Sequence, residues 1–365
     1  MSALQQRLSR GAVVVLDGGF STACEARGAN LNVGKLWSAR LIADDPAMVK
    51  AVHTDFLLAG SDIVCTASYQ GTMRGFNEAG YSLEAAATLL RASVTLAAEA
   101  RDEFWAGLTA DGRDSRERPM VAASLGPFGA YLGDGSEYTG AYSAGCTRSD
   151  AVTVQKLTKE ELMAFHREQV TEMAGAGADV LLFETVPCVL EGEAIAALLP
   201  EFPGVEALLS FSCVDSQHLS SGEPLSAVCV EGTAVHHSSQ ILGIGVNCTQ
   251  PDLIARLLHE SLLPSIPSDK AVLAYGNSGE EYTAGGAGWS GCACGSLAED
   301  YGIFAADWMA SVASEDGCRR GMLVGGCCRT SPDHIAAVAA AAAKANMALC
   351  QLTSKQTNWG ETEES

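Results

Sequence analysis

Three cysteines close two apolar runs. Cys248 ends "ILGIGVNC", and the adjacent Cys327 and Cys328 follow two glycines in "GMLVGGCC". Adjacent thiols admit three chemistries: a redox pair, two small buried hydrophobes, or two ligands of one soft metal. If both runs are strands of one sheet their ends converge, and the third thiol favours a metal. Three thiolates suit Zn2+, which in catalytic sites keeps a fourth position open. A structural zinc site would want a fourth protein ligand, and no strand end offers one. Gly325 and Gly326 are expected to give the backbone freedom that lets consecutive cysteines turn toward one ion.

Other polar residues stand at the ends of apolar runs. Asp17 follows "AVVVL" and Glu184 sits near the end of "DVLLFET"; Thr66, Ser68, Ser124, Ser212, Asn247 and Asn277 occupy equivalent places. Acids at such positions orient a substrate ammonium group or act as bases, with helix capping or a surface ion pair as the plainer alternative. No histidine joins them. His53, His166 and His259 fall in helical patterns, His218, His236 and His237 in loops or helix ends, and His334 in the first turn of the closing helix. Serine-hydrolase and histidine–zinc chemistry therefore lack their residues.

The elements that position these side chains can be read from periodicity. Eight short β-branched runs cover residues 12–17, 62–67, 119–125, 179–185, 206–213, 241–248, 271–277 and 321–327, and segments of helical period lie between them. Strict β/α alternation predicts a single-domain (β/α)8 TIM barrel over residues 1–350, with a polar, frayed tail over 351–365. An open dinucleotide-binding sheet is disfavoured, because "DGGFSTACEARG" lacks the G-x-G-x-x-G spacing. In a barrel, active-site residues come from the carboxyl ends of the strands, which is where the residues above fall. Two connections are long: one after the third strand carries Tyr131, Tyr138 and Tyr142, and a glycine-rich one follows the seventh. The tyrosines suit either a cation–π cage or ordinary loop packing.

Composition narrows the partners. A net charge of −21 repels nucleic acid and anionic membranes but not a small cation. No targeting signal or spanning segment is evident, so a cytoplasmic protein is expected, a monomer or small homo-oligomer. In that compartment Cys24, Cys65, Cys146, Cys188, Cys213, Cys229, Cys318 and Cys350 read as buried hydrophobes rather than a disulfide framework. Cys292 and Cys294 have no neighbouring ligands and are not expected to hold metal.

The segments "VVLDGGFSTACEARGANLN", "LWSARLI", "ASYQGT", "SLGPFGAYLGDGSEYTG", "FETVP", "GIGVNC" and "GGCCRT" resemble the zinc-dependent homocysteine S-methyltransferases. "ASYQ" and "DGSEYTG" look like the branch that uses S-methylmethionine. The resemblance implies a (β/α)8 barrel with Zn2+ on Cys248, Cys327 and Cys328 and homocysteine sulfur as fourth ligand. It implies that Asp17 and Glu184 contact the homocysteine amino group. With Ser68, Asn247 and Tyr138 as further substrate-binding candidates, the expected reaction is methyl transfer from S-methylmethionine, with S-adenosylmethionine as a poorer second donor, to homocysteine, giving methionine. A betaine- or selenocysteine-type methyltransferase of the same fold, or a non-catalytic zinc or thiol sensor, is the alternative. The "CAC" segment lies outside the family's metal motif.

Overall fold

The computed structural model describes residues 1–31, 34–150, 155–283, 288–290, 294–313 and 319–359. Eight parallel strands build the frame: β1 (Val13–Val15), β2 (Ile63–Cys65), β3 (Met120–Leu125), β4 (Val180–Val186), β5 (Ala207–Phe211), β6 (Ile241–Asn247), β7 (Ala271–Gly276) and β8 (Met322–Gly326). Ladders run in the order β1-β8-β7-β6-β5-β4-β3-β2. This is the (β/α)8 barrel expected from the alternation.

The seam between β1 and β2 closes with few bonds. Asp62 N–H donates to Val15 O at 2.7 Å, and the Asp62 carboxylate accepts from Val15 N–H at 2.9 Å. One step higher, Asp17 Oδ2 accepts from Cys65 N–H at 2.7 Å. A predicted site acid thus also latches the barrel shut.

Strand period decides what faces inward. Val14, Ile63, Ala122, Leu182, Leu208, Leu273 and Leu323 fill the barrel, with Leu4 and Leu8 of the N-terminal helix plugging its base. Val13, Val15, Val64, Leu181, Phe183 and Val324 point outward into the layer shared with the helices. Two residues beyond the inward residues of β2, β3, β4, β5, β7 and β8, the same face presents Cys65, Ser124, Glu184, Ser210, Tyr275 and Gly325, while β1 presents Leu16. A greasy barrel therefore acquires a polar upper floor. Gly245 lets β6 approach β7, since a Cβ there would lie 2.0 Å from Leu273 O.

Helices follow their sequence signals. Pro46–Ala59 starts at Asp45, whose carboxylate accepts from Met48 N–H, and stops at Gly60 with φ of 108°. Thr158 and Glu161 form a capping box for Lys159–Ala174. The closing helix runs Pro332–Trp359, into the stretch expected as a polar tail; residues 360–365 lie outside the described residues. Among the described residues no helix is long and apolar enough to cross a membrane. The long connection after β7 contains a short hairpin, Glu281–Thr283 with Gly288–Ser290.

Candidate active site

Cys248, Cys327 and Cys328 converge above the polar floor, their sulfur atoms all within 4.8 Å of one another. Among the described residues they form the one group of three or more side chains suited to a metal; Cys294 does not join them, and Cys292 and Cys318 lie outside the described residues. Cys248 follows β6 with φ of 47°, a strained left-handed conformation for a residue bearing a Cβ.

The paired cysteines reach the cluster by a different device from the one expected. Gly325 and Gly326 adopt no left-handed conformation. Instead they permit close packing: a Cβ on Gly325 would lie 2.7 Å from Leu16 Cβ, and one on Gly326 2.3 Å from Thr330 Oγ1. Strand β8 ends at Gly326, so strict alternation no longer governs the cysteines. They enter a turn in which Thr330 N–H donates to Cys327 O at 3.2 Å and Arg329 takes φ of 65°.

The thiols behave as one unit. Cys248 Sγ and Cys328 Sγ are 3.5 Å apart, and hydrogen bonds from Cys327 and Cys328 hold the Cys248 pKa well below the ordinary thiol range. The same sharing pushes Cys327 and Cys328 upward. A tetrahedral Zn2+ with Zn–S bonds of about 2.3 Å separates its sulfurs by about 3.8 Å. The observed spacing fits such an ion.

A cleft of about 1130 Å³, its open mouth included, stands over the thiols. Asp17, Glu184, Ser124, Thr66 and Tyr138 line it, and so do the three cysteines. Four acids (Asp17, Glu25, Glu137 and Glu184) contribute to its described lining, and no Lys, Arg or His does. Burial raises Asp17, Glu137 and Glu184 each to about 7, with Asp17 adding to the rise at Glu184. Ser124 Oγ donates to Glu184 and holds it. A substrate cation entering here would restore the carboxylates' charge.

Other predicted residues take supporting places. Asn247 lies beneath the lining: its Oδ1 accepts from Thr185 N–H at 2.7 Å and Ser210 Oγ at 2.8 Å, and its Nδ2 points at Cys327 Sγ from 3.8 Å. It is not among the residues that line the cleft. Ser68 is likewise outside the cleft lining, its hydroxyl committed to Ser124 O at 2.7 Å. Ser212 donates to the Glu137 carbonyl at 3.1 Å, and Asn277 lines a second cleft that meets the first at Tyr138 and Cys248.

The three loop tyrosines part company. Tyr138 lines the cleft with its hydroxyl 3.5 Å from Cys248 Sγ. Tyr131 bonds Glu78 at the rim, and Tyr142 is wholly buried against Glu191, so neither joins a cage. Glu191 is the loop's anchor. Fully buried, it accepts from Phe128 N–H at 2.7 Å, from Tyr142 OH, and pairs with His166 Nε2 at 2.8 Å. Those bonds fix both sides of the segment that carries Glu137 and Tyr138.

Sequence reasoning missed several lining residues: Phe20, Trp37, Cys65, Tyr69, Gln70, Glu137, Thr185 and Tyr275. Cys65 and Tyr275 were reachable by counting two onward from Ile63 and Leu273. Thr185, with φ of 60°, and Trp37, with φ of 46°, carried no such signal.

Comparison with known proteins agrees with this arrangement. The family profile described as homocysteine S-methyltransferase matches residues 14–342. The chain belongs to the homocysteine S-methyltransferase family. It is therefore a methyl-transferring enzyme. It is 42% identical over 340 residues to homocysteine S-methyltransferase YbgG of Bacillus subtilis, covering 93% of this chain and 98% of that protein. Identity to homocysteine S-methyltransferase 1 of Zea mays is 38%, covering 93% and 97%. Among solved structures, the metallated form of the homocysteine methyltransferase MmuM from Escherichia coli superposes with a TM-score of 0.73 at 35% identity, covering 92% of this chain and 99% of that one.

Proposed function

We propose that this member of the homocysteine S-methyltransferase family binds Zn2+ through Cys248, Cys327 and Cys328 and methylates L-homocysteine to methionine. The donor is a methionine-derived sulfonium, S-methylmethionine or S-adenosylmethionine. The observation that carries this reading is a cluster of three thiols facing a cleft lined by four acids and, among the described residues, by no Lys, Arg or His. Tyr69, Gln70, Glu137 and Tyr138, from the two segments that resemble the S-methylmethionine branch, all line that cleft.

A free alkyl thiol has a pKa of about 8.5, so little of it is nucleophilic at neutral pH. Bound zinc would supply the thiolate form of the homocysteine sulfur. Asp17 and Glu184 would receive the homocysteine ammonium group and fix its sulfur over the cysteines. In the transfer, a C–S bond forms to that sulfur as the sulfonium C–S bond breaks, its electron pair staying on the departing thioether. No proton moves in this step, so no general acid is needed. The acidic lining attracts the cationic donor, and charge cancels as the methyl passes, which a cleft shielded from water favours.

Metal content and methionine formation, measured on the same reduced samples of wild type and Cys327→Ala, test the proposal. About one zinc per chain with turnover, both lost in the variant, is expected. Zinc without turnover on S-methylmethionine, S-adenosylmethionine or betaine would leave a non-catalytic thiol site instead.

A further inference from the structure

Glu137 has a feature that the other acids of the cleft lack. The residue is only 8% exposed, and among the described residues its Oε2 has no hydrogen-bond partner. A buried carboxylate oxygen left unpaired is costly, and persists where something outside the chain completes it. The Tyr69 hydroxyl is also buried without a hydrogen bond; the Thr185 side chain lies near it but outside bonding geometry. Of the charges around Tyr69, Glu137 acts on it most strongly. Both residues line the cleft over the thiols.

Glu137 is not free to swing away. Its carbonyl accepts from Ser212 Oγ at 3.1 Å, and its backbone presses so closely on the Phe128–Leu132 helix that a Cβ on Gly129 would lie 2.3 Å from Glu137 N. The main chain that carries the carboxylate is held in place, and the residue lines the cleft with Oε2 unpaired among the described residues.

We propose that Glu137, with Tyr69, forms a subsite for the α-ammonium group of the methyl donor. This rests on the methyl-transfer reading above and extends it. A sulfonium carries no N–H or O–H and cannot satisfy an unpaired acceptor, whereas an ammonium group offers three donors. Homocysteine's own ammonium has Asp17 and Glu184, on β1 and β4. Glu137 instead arrives on the loop after β3, beside Tyr138 and the Cys248 side of the cluster. A donor built on an amino acid is thereby preferred over one bearing only a charged methylated centre.

The test is titration calorimetry on zinc-loaded protein without homocysteine, using S-methylmethionine and 4-dimethylsulfoniobutyrate, which keeps the sulfonium, the carboxylate and the carbon chain between them but has no amino group. Wild type should bind S-methylmethionine at least about tenfold more tightly, in line with a charge-assisted hydrogen bond. Glu137→Gln should erase that preference by weakening S-methylmethionine alone, with zinc content and homocysteine KM unchanged. Tyr69→Phe should reduce the preference partially. Equal binding of both sulfoniums by wild type would overturn the subsite, even if the variant failed to fold. So would a Glu137→Gln variant that keeps the preference, loses both ligands equally, or shifts homocysteine KM instead. Selective binding without turnover would count against the methyl-transfer reading and leave the subsite standing.

Discussion

Asp17→Asn separates the two tasks that one carboxylate performs. Asp17 Oδ2 accepts the Cys65 N–H at 2.7 Å, which helps close β1 onto β2, and the same residue is the proposed partner of the homocysteine ammonium. The amide keeps an acceptor oxygen for Cys65, so the seam should survive. What disappears is the negative charge. A hydrogen bond to a charged group contributes about 1.5–3 kcal/mol, which corresponds to a fall of about 10- to 150-fold in kcat/KM for homocysteine. Donor KM and zinc content should stay within about threefold, because three other acids remain in the lining and Asp17 is not among the clustered thiols. Steady-state kinetics with each substrate varied in turn, beside a thermal melt, provide the readings. A homocysteine kcat/KM within threefold of wild type, with the fold intact, would refute the assignment. An equal loss toward both substrates would refute the separation of homocysteine and donor sites.

Two further outcomes are expected. Burial raises Glu184 from 4.5 to about 7, so in metal- and substrate-free protein the folded state keeps a proton that the unfolded chain releases. Stability from this group is therefore greatest below 4.5 and lost as pH rises through 7. Glu184→Gln escapes that loss and should gain on wild type by up to about 3 kcal/mol between those limits. Denaturant midpoints of both proteins at pH 5 and pH 8 check it, and a constant difference would refute it. Glu191→Gln removes one of the acceptors that hold the loop carrying Glu137 and Tyr138, and should destabilise the protein by about 2–3 kcal/mol. Donor KM should rise while bound zinc stays the same, as read by kinetics and elemental analysis; a lowered zinc content with unchanged donor KM would contradict the loop's role.

The barrel and its thiols were legible because both follow from local rules. Apolar runs such as "DVLLFET" and "GMLVGGC" alternate with helical segments, and a parallel barrel must bring the ends of such runs to one mouth. That rule brought Asp17, Glu184, Cys248, Cys327 and Cys328 into one cleft before any contact was known. Residues that depend on where a loop lands were not legible. Tyr131, Tyr138 and Tyr142 lie on one loop and look alike in sequence, yet only Tyr138 faces the thiols, because Glu191 from a distant helix buries Tyr142 and thereby aims the segment between. The same holds for Glu137, whose unpaired oxygen exists only once that loop is packed. Strand period is a property of the backbone and can be counted along the chain. Loop placement is a sum of long-range contacts, and only the folded molecule performs that sum.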